Sequence, residues 1–446
     1  MKRTPSFLIF CALLLTACST TTPGSPIMDL VTLPQDAGAY HDLAPDTPIL
    51  SEQAQDRAYI HFMAEHFGPW HRSQPKYTED QVFWGLTTYA SKQLHGENTL
   101  PRTLAWMERM REYSRVPQYP SLNRRAIAVT NTSMRVLPTN QPAFYDFDMA
   151  GEGYPFDYMQ NSLVLAGTPL YASHISADRA WILVESRFAF GWVPATDIAW
   201  VDDGFISIFQ TGIYGAITRD DVPLTDGDGN YRFTGHVGTI LPIMDHGFGG
   251  NGVAFIIPGR TQRGDAVAQV SFVPSAFAAQ VPLAATPANF TQLANAMLGR
   301  QYGWGGLYED RDCSAATMDL MAPFGIYLPR NSSQQIKVGT SISLEKMSRQ
   351  EKKRLITQVA TPFLTLVRKP GHIMLYVGQQ NGQPIVFHSV WGLKTKKRGG
   401  YGRKVIGGAV ITTLEPGLNQ PDLARPEGII LESVYAISTL PGTTKE

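Results

Sequence analysis

The chain is short of cysteine and carries no net charge, and each shortage narrows its chemistry. Only three of 446 residues are cysteine, so no disulfide framework staples the fold. Lys+Arg and Asp+Glu each number 38, which removes the bulk basic field on which nucleic-acid binding depends. The N-terminal apolar run, Phe7 to Leu15, is too short to cross a bilayer. What the chain has in quantity is glycine and proline, 40 and 31 residues, the mark of short strands and turns rather than long helical bundles. Length alone leaves room for about three domains.

The N-terminal run has the length of a signal-peptide core and follows Lys2 and Arg3. It ends in Leu15-Thr16-Ala17-Cys18, which resembles a bacterial lipoprotein cleavage box. Residues 1–17 are therefore expected to leave as a signal peptide, with Cys18 carrying the lipid. Ser19, with no Asp after the lipidated cysteine, resembles outer-membrane sorting. This predicts a cell-envelope protein, lipid-anchored to a membrane and facing the periplasm if the cell is Gram-negative. Cys11 leaves with the signal, so Cys313 is the one free thiol of the mature chain and a candidate reactive site.

Composition divides the rest. Residues 18–50, rich in Thr, Pro, Gly, Asp and Ala without periodicity, read as a tether. Residues 51–120 show helical stripes, such as Ala54, Ala58 and Phe62, then Leu104, Met107 and Met110. Trp70, Trp84 and Trp106 are expected in the core of that unit. His61, His66 and His71 have no Cys or carboxylate framework beside them, so no metal and no cofactor is expected. From residue 121 the period shortens to strands. Trp181-Ile182-Leu183-Val184, a turn and Gly191-Trp192-Val193 resemble a bacterial SH3-like barrel over 121–204, and a second, more divergent one follows over 205–281. Asp226-Gly227-Asp228-Gly229-Asn230 mimics a calcium loop. With Tyr231 where that loop needs Gly and Val237 where it needs Glu, a hairpin turn is the expectation.

The last unit, 285–446, holds the chemistry. Tyr302-Gly303-Trp304-Gly305-Gly306 precedes Asp312-Cys313-Ser314, where Asp312 is a good N-cap and Cys313 falls in the first turn of a helix that Pro323 ends. The helix dipole there favours a thiolate, while Asp312, a neighbouring anion, is expected to grip a cationic group. The glycines are expected to let backbone approach a substrate closely. A cysteine nucleophile needs a base and the base an orienter. Two histidines follow Cys313: His372, opening a strand, and His388 in the next strand beyond an Asn381-Gly382 turn. Their spacing suits side-by-side imidazoles on an antiparallel pair, His372 as base and His388 as orienter.

These pieces, with Leu328-Pro329-Arg330-Asn331-Ser332 and Gly371-His372-Ile373-Met374-Leu375-Tyr376-Val377-Gly378, resemble in order the NlpC/P60 family of cysteine peptidases. The resemblance implies an α+β protein, with a papain-like catalytic domain behind two SH3-like barrels and an N-terminal helical domain, and a Cys313, His372, His388 triad. The longer subgroup with this layout cleaves peptidoglycan stem peptides between D-γ-glutamyl and meso-diaminopimelic acid residues. In that subgroup the residues matching Asp312 and Ser314 hold a free L-Ala amine, and those matching Tyr302 and Ser332 line the site. Asp157 and Tyr158 are the expected barrel residues closing the groove. Ala315 replaces a common Gly, and a common Pro-Gly-Asp ahead of the histidine is missing. The alternatives are the same fold acting as an amidase or thiol acyltransferase on another bond, and a non-catalytic wall-binding lipoprotein. Barrels that bind a protein partner are a third possibility.

Overall fold

The computed structural model describes residues 25–249 and 252–440; the predicted signal peptide and Cys18 lie outside them. Among the described residues, no helix is long and apolar enough to cross a membrane.

Residues 25–50 are not a tether. Ile27, Tyr40, Ile49 and Leu50 are buried in the C-terminal domain. Asp29 accepts from the N–H and hydroxyl of Thr413 at 2.8 and 2.7 Å. Gln35 pairs with the backbone of Ile411 in both directions, at 2.9 and 3.0 Å. A side-chain amide thus replaces the missing neighbour of the edge strand Gly400–Thr413. Isolated apolar residues between turns leave no period to read, which is why this segment looks unstructured in the sequence.

Helix Glu52–Phe67 starts at the Ser51 cap and runs into a turn carrying Trp70. Phe62, Phe67 and Trp70 join the core of the second barrel, and the Trp70 indole N–H donates to the Ala126 carbonyl in the first at 2.7 Å. Leu86, Tyr89, Trp106 and Met110 pack on Trp181 and Trp192 of the first barrel. The helical unit is a wedge between the barrels.

The first barrel is a seven-stranded antiparallel sheet running from Arg124–Ala128 to Ile198–Trp200, with Thr132–Arg135 between Gln160–Val164 and Phe190–Pro194. The second pairs Val222–Thr225 with Tyr231–Gly235 beside a five-stranded sheet that ends at Ala278–Val281. Asp226 joins that pair as a turn, its carboxylate accepting from the N–H of Asp228 and Asn230 at 3.1 and 2.9 Å. It is the expected hairpin.

The C-terminal domain is a six-stranded antiparallel sheet with helices on both faces. Ile373, Leu375 and Val377 face the core shared with Phe290, Leu320 and Met321. Met374 and Tyr376 face Ile356 of helix Arg349–Val359. Burial on both faces explains the unbroken apolar run after His372. Ser348 and Glu351 form the expected capping box. Asn381 and Gly382 both take positive φ, 52° and 73°, in the turn from His372–Gln380 into Gln383–Lys397.

Candidate functional site

Cys313 opens the helix Cys313–Met321, and the Asp312 cap accepts from the Ala315 N–H at 2.8 Å. The thiol is 8% exposed and has no disulfide partner. Burial, then the Asp312 carboxylate, push it up to about 11 against the opposing pull of the Ile373 and Ser314 N–H groups and Arg330. Desolvation outweighs the helix start, so the resting group is a neutral thiol rather than the dipole-stabilised thiolate that helix placement suggested.

The sulfur lies against the Ile373 N–H, next to His372. His372 Nε2 and His388 Nδ1 are 2.8 Å apart, and His388 Nε2 is 3.0 Å from the Thr412 hydroxyl. That hydroxyl donates to the Thr413 carbonyl at 2.7 Å, so toward His388 it accepts. The directions then follow along the chain: His388 Nε2–H donates to Thr412, His388 Nδ1 accepts from His372 Nε2–H, and His372 Nδ1 is left with a free lone pair for the thiol. Both rings are neutral at rest. Burial, His388 and Lys369 hold His372 well below the usual imidazole range, and burial takes His388 to about 3. Thr412 has no sequence signal, since a threonine in a strand reads as ordinary β preference.

Asp312 meets a cation from the protein itself. Arg330 contacts its two oxygens at 2.6 and 3.1 Å and the Ser314 hydroxyl at 2.9 Å. The Gly305 N–H also reaches the carboxylate, at 3.2 Å. Burial opposes the charge, yet Arg330 keeps the carboxyl below its ordinary range. Arg330 Nε in turn donates to Ser162 of the first barrel at 2.8 Å. A second buried arginine, Arg311, binds Asp220 of the second barrel with two nitrogens at 2.7 and 2.8 Å and Asp319 on the catalytic helix at 2.7 Å. The helix that Cys313 opens is thus strapped to both barrels. Arg330 stands in the Pro-Arg pair of the matched motif, where its signal was present; Arg311 has none beyond its closeness to Cys313.

A cavity of about 280 Å³ opens at Cys313. Tyr302, Asp312, Ser314 and Ser332 line it, as does Tyr158 of the first barrel with Gln160 and Asn161. Asp157 does not: it is buried against Arg135 at 2.8 Å and accepts from the Ala143 and Met159 N–H groups, holding the barrel loop together. Trp70 and Trp106 are core residues, but Trp84 faces the cavity with Tyr89, so the helical unit supplies part of the wall. Gly305 and Gly306 also differ from expectation. Both have positive φ, 61° and 86°, and a Cβ on Gly305 would stand 2.6 Å from the Gln160 carbonyl. Their close approach is to the first barrel.

Comparison with known proteins agrees with this layout. Residues 7–119 match the N-terminal NLPC_P60 stabilising domain, 142–194 an SH3 domain of SH3b1 type, 202–246 an SH3 domain of SH3b2 type and 299–390 the NlpC/P60 family. No curated protein matches the sequence. An NlpC/P60 endopeptidase from Photobacterium damselae subsp. piscicida superposes with a TM-score of 0.84 at 26% identity, over 94% of this chain and 99% of that one. An NlpC/P60 family protein from Bacillus cereus gives a TM-score of 0.47 at 13% identity, over 71% of this chain and 100% of that one. With the four matched segments in order and a cysteine and two histidines gathered on the last of them, the chain belongs to the NlpC/P60 family of cysteine peptidases.

Proposed function

We propose that the chain hydrolyses the γ-D-glutamyl–meso-diaminopimelic acid bond of peptidoglycan stem peptides that begin with a free L-Ala amine. The observation that carries the reading is the walled cavity at Cys313, closed by Trp84, Tyr89 and Tyr158 from two other domains and holding the Asp312 carboxylate. An open groove would accept a stem still joined to its sugar; a walled one favours a short chain with a free amine, which would share the Asp312 carboxylate with Arg330. Lipidation of Cys18 belongs to the same proposal and keeps the enzyme at the envelope.

In the first step the Cys313 sulfur bonds to the γ-glutamyl carbonyl carbon while its proton passes to His372 Nδ1. Because the thiol is held up and the imidazole down, that transfer accompanies attack rather than preceding it. N–H groups at the helix start stabilise the oxyanion, each worth about 3 kcal/mol. His372 then gives the proton to the departing amine as the C–N bond breaks. Water, deprotonated by His372, cleaves the thioester and returns the thiol. His388 and Thr412 hold the His372 Nε2 proton in place, so Nδ1 is the atom that takes up and returns the proton.

The test is mass spectrometry of digests of L-Ala-γ-D-Glu-meso-diaminopimelic acid beside the same stem attached to its sugar. Release of L-Ala-D-Glu from the free peptide alone supports the proposal; cleavage of both refutes the requirement for the amine, and cleavage of neither refutes the bond. Cys313→Ala is expected to fold normally and lose turnover, and hydrolysis by it at the wild-type rate would remove Cys313 from the mechanism.

A further inference from the structure

The strands Gln383–Lys397 and Gly400–Thr413 continue as a hairpin beyond residue 390, where the NlpC/P60 match ends. In a chain whose cations and carboxylates balance at 38 each, no Asp or Glu occurs between Glu351 and Glu415, while the hairpin carries Lys394, Lys396, Lys397, Arg398, Arg403 and Lys404. Its tip, Lys396 to Arg398, is exposed.

The hairpin grows directly out of the site. Trp391, three residues past His388, has its ring 6.0 Å from Tyr302 and 5.9 Å from Phe156 of the first barrel's loop. Farther out the hairpin leans on the same loop. Arg403 Nη2 donates to the Ala150 carbonyl at 3.3 Å and Lys397 Nζ to the Asp148 carbonyl at 3.5 Å. Two of its cations are therefore hydrogen-bonded to neutral carbonyl oxygens rather than to a carboxylate. Arg403 Nε is buried with no hydrogen-bond partner among the described residues, the kind of donor that a ligand oxygen satisfies. Glu152 is the nearby acid, and the Tyr158 hydroxyl already donates to it at 2.6 Å. Lys369, at the end of the strand beside His372, adds a further cation close to Cys313.

We propose that the hairpin Trp391–Val405 is the wall that collects the substrate, its cations drawing in and holding the carboxylates of an anionic peptide. Resting on the stem-peptide reading, this names the groups recognised: the free α-carboxylate of the D-glutamyl residue and the carboxylates of the diamino acid. The hairpin then attracts the anionic groups of the peptide while the cavity takes its amine end, which orients a zwitterionic peptide before chemistry.

The experiment compares wild type with the variant K396Q/K397Q/R398Q, and separately Arg403→Gln. Each is assayed on the free-acid peptide and on its carboxamide analogue, from low to high salt. For the triple variant kcat/KM on the free acid is expected to fall about 10-fold at low salt, through KM, with the salt dependence flattened and the carboxamide unaffected. Arg403→Gln should lower discrimination between acid and carboxamide. Equal kcat/KM and an unchanged salt slope in both variants would overturn the proposal, as would an equal loss on acid and carboxamide. Binding of the two peptides to full-length Cys313→Ala protein, with and without the hairpin substitutions, keeps the two proposals separable. If wild type cleaves neither peptide, the bond assignment fails, while a preference for the acid that vanishes with the substitutions still sustains the hairpin, and no preference sinks it.

Discussion

The first barrel reaches the cavity and the second does not. Tyr158, Gln160 and Asn161 of the first line it, and Ser162 holds the arginine that neutralises Asp312. From the second come Asp220 and the Val237 carbonyl, both bound to Arg311 behind the Cys313 helix. Two small antiparallel modules of related kind thus serve one site differently, one as wall and one as brace, and placement rather than fold decides which.

The sharpest way to break this comparison is to cut the brace. Arg311→Met strips Asp319 of its hydrogen-bonded counter-ion and leaves Asp220 only the looser Arg300 and His236, each at 3.6 Å, and removing one partner of such a buried network costs about 3–5 kcal/mol. A marked fall in the unfolding midpoint is expected, with KM of the surviving folded enzyme near the wild-type value. An unchanged midpoint would show that the second barrel does not stabilise the catalytic helix.

Opening the wall comes next in size. Tyr158→Ala enlarges the cavity on the side of the first barrel and removes a ring that packs 6.1 Å from Trp304. The preference for the free peptide over the sugar-linked stem should drop about 10-fold, equivalent to about 1.4 kcal/mol. A ratio of rates does not depend on the folded fraction, so an unchanged ratio would mean that Tyr158 borders the cavity without shaping it.

Much of the division of labour, though not the contacts that enforce it, could be read before folding. The cysteine at a capped helix start, two histidines across a hairpin and the Trp–turn–Gly-Trp signature are local patterns, and local patterns survive in sequence. Trp84 reads as core because an aromatic on a helical stripe is ordinarily buried; only the docking of the helical unit against the catalytic domain turns it toward the cavity. Asp157 looks like a groove residue because it neighbours Tyr158, yet in the loop ahead of strand Gln160–Val164 the two side chains part, one to Arg135 and one to the site. The pairings Arg311–Asp220 and Arg330–Ser162 span 91 and 168 positions, and no periodicity records a contact of that length.

The smallest effect is a pH test of the brace. His236 of the second barrel bonds Glu309, on the loop ahead of Cys313, at 2.8 Å and lies 3.6 Å from Asp220. Burial would lower its pKa, but the bonds to Asp220 and Glu309 outweigh it and the net shift is upward. A raised folded pKa means that stability is fully present below the unfolded value of about 6.5 and is lost as pH rises through the higher folded one. His372 and His388 carry the opposite sign: with depressed folded values they favour unfolding as pH falls below about 6.5, and they mask His236 in the wild type alone. The difference between wild type and His236→Gln cancels them. The gap in unfolding midpoint should be widest near pH 6 and narrow toward pH 8, whereas a gap that stays constant or widens would show that His236 braces the loop by shape and not by charge.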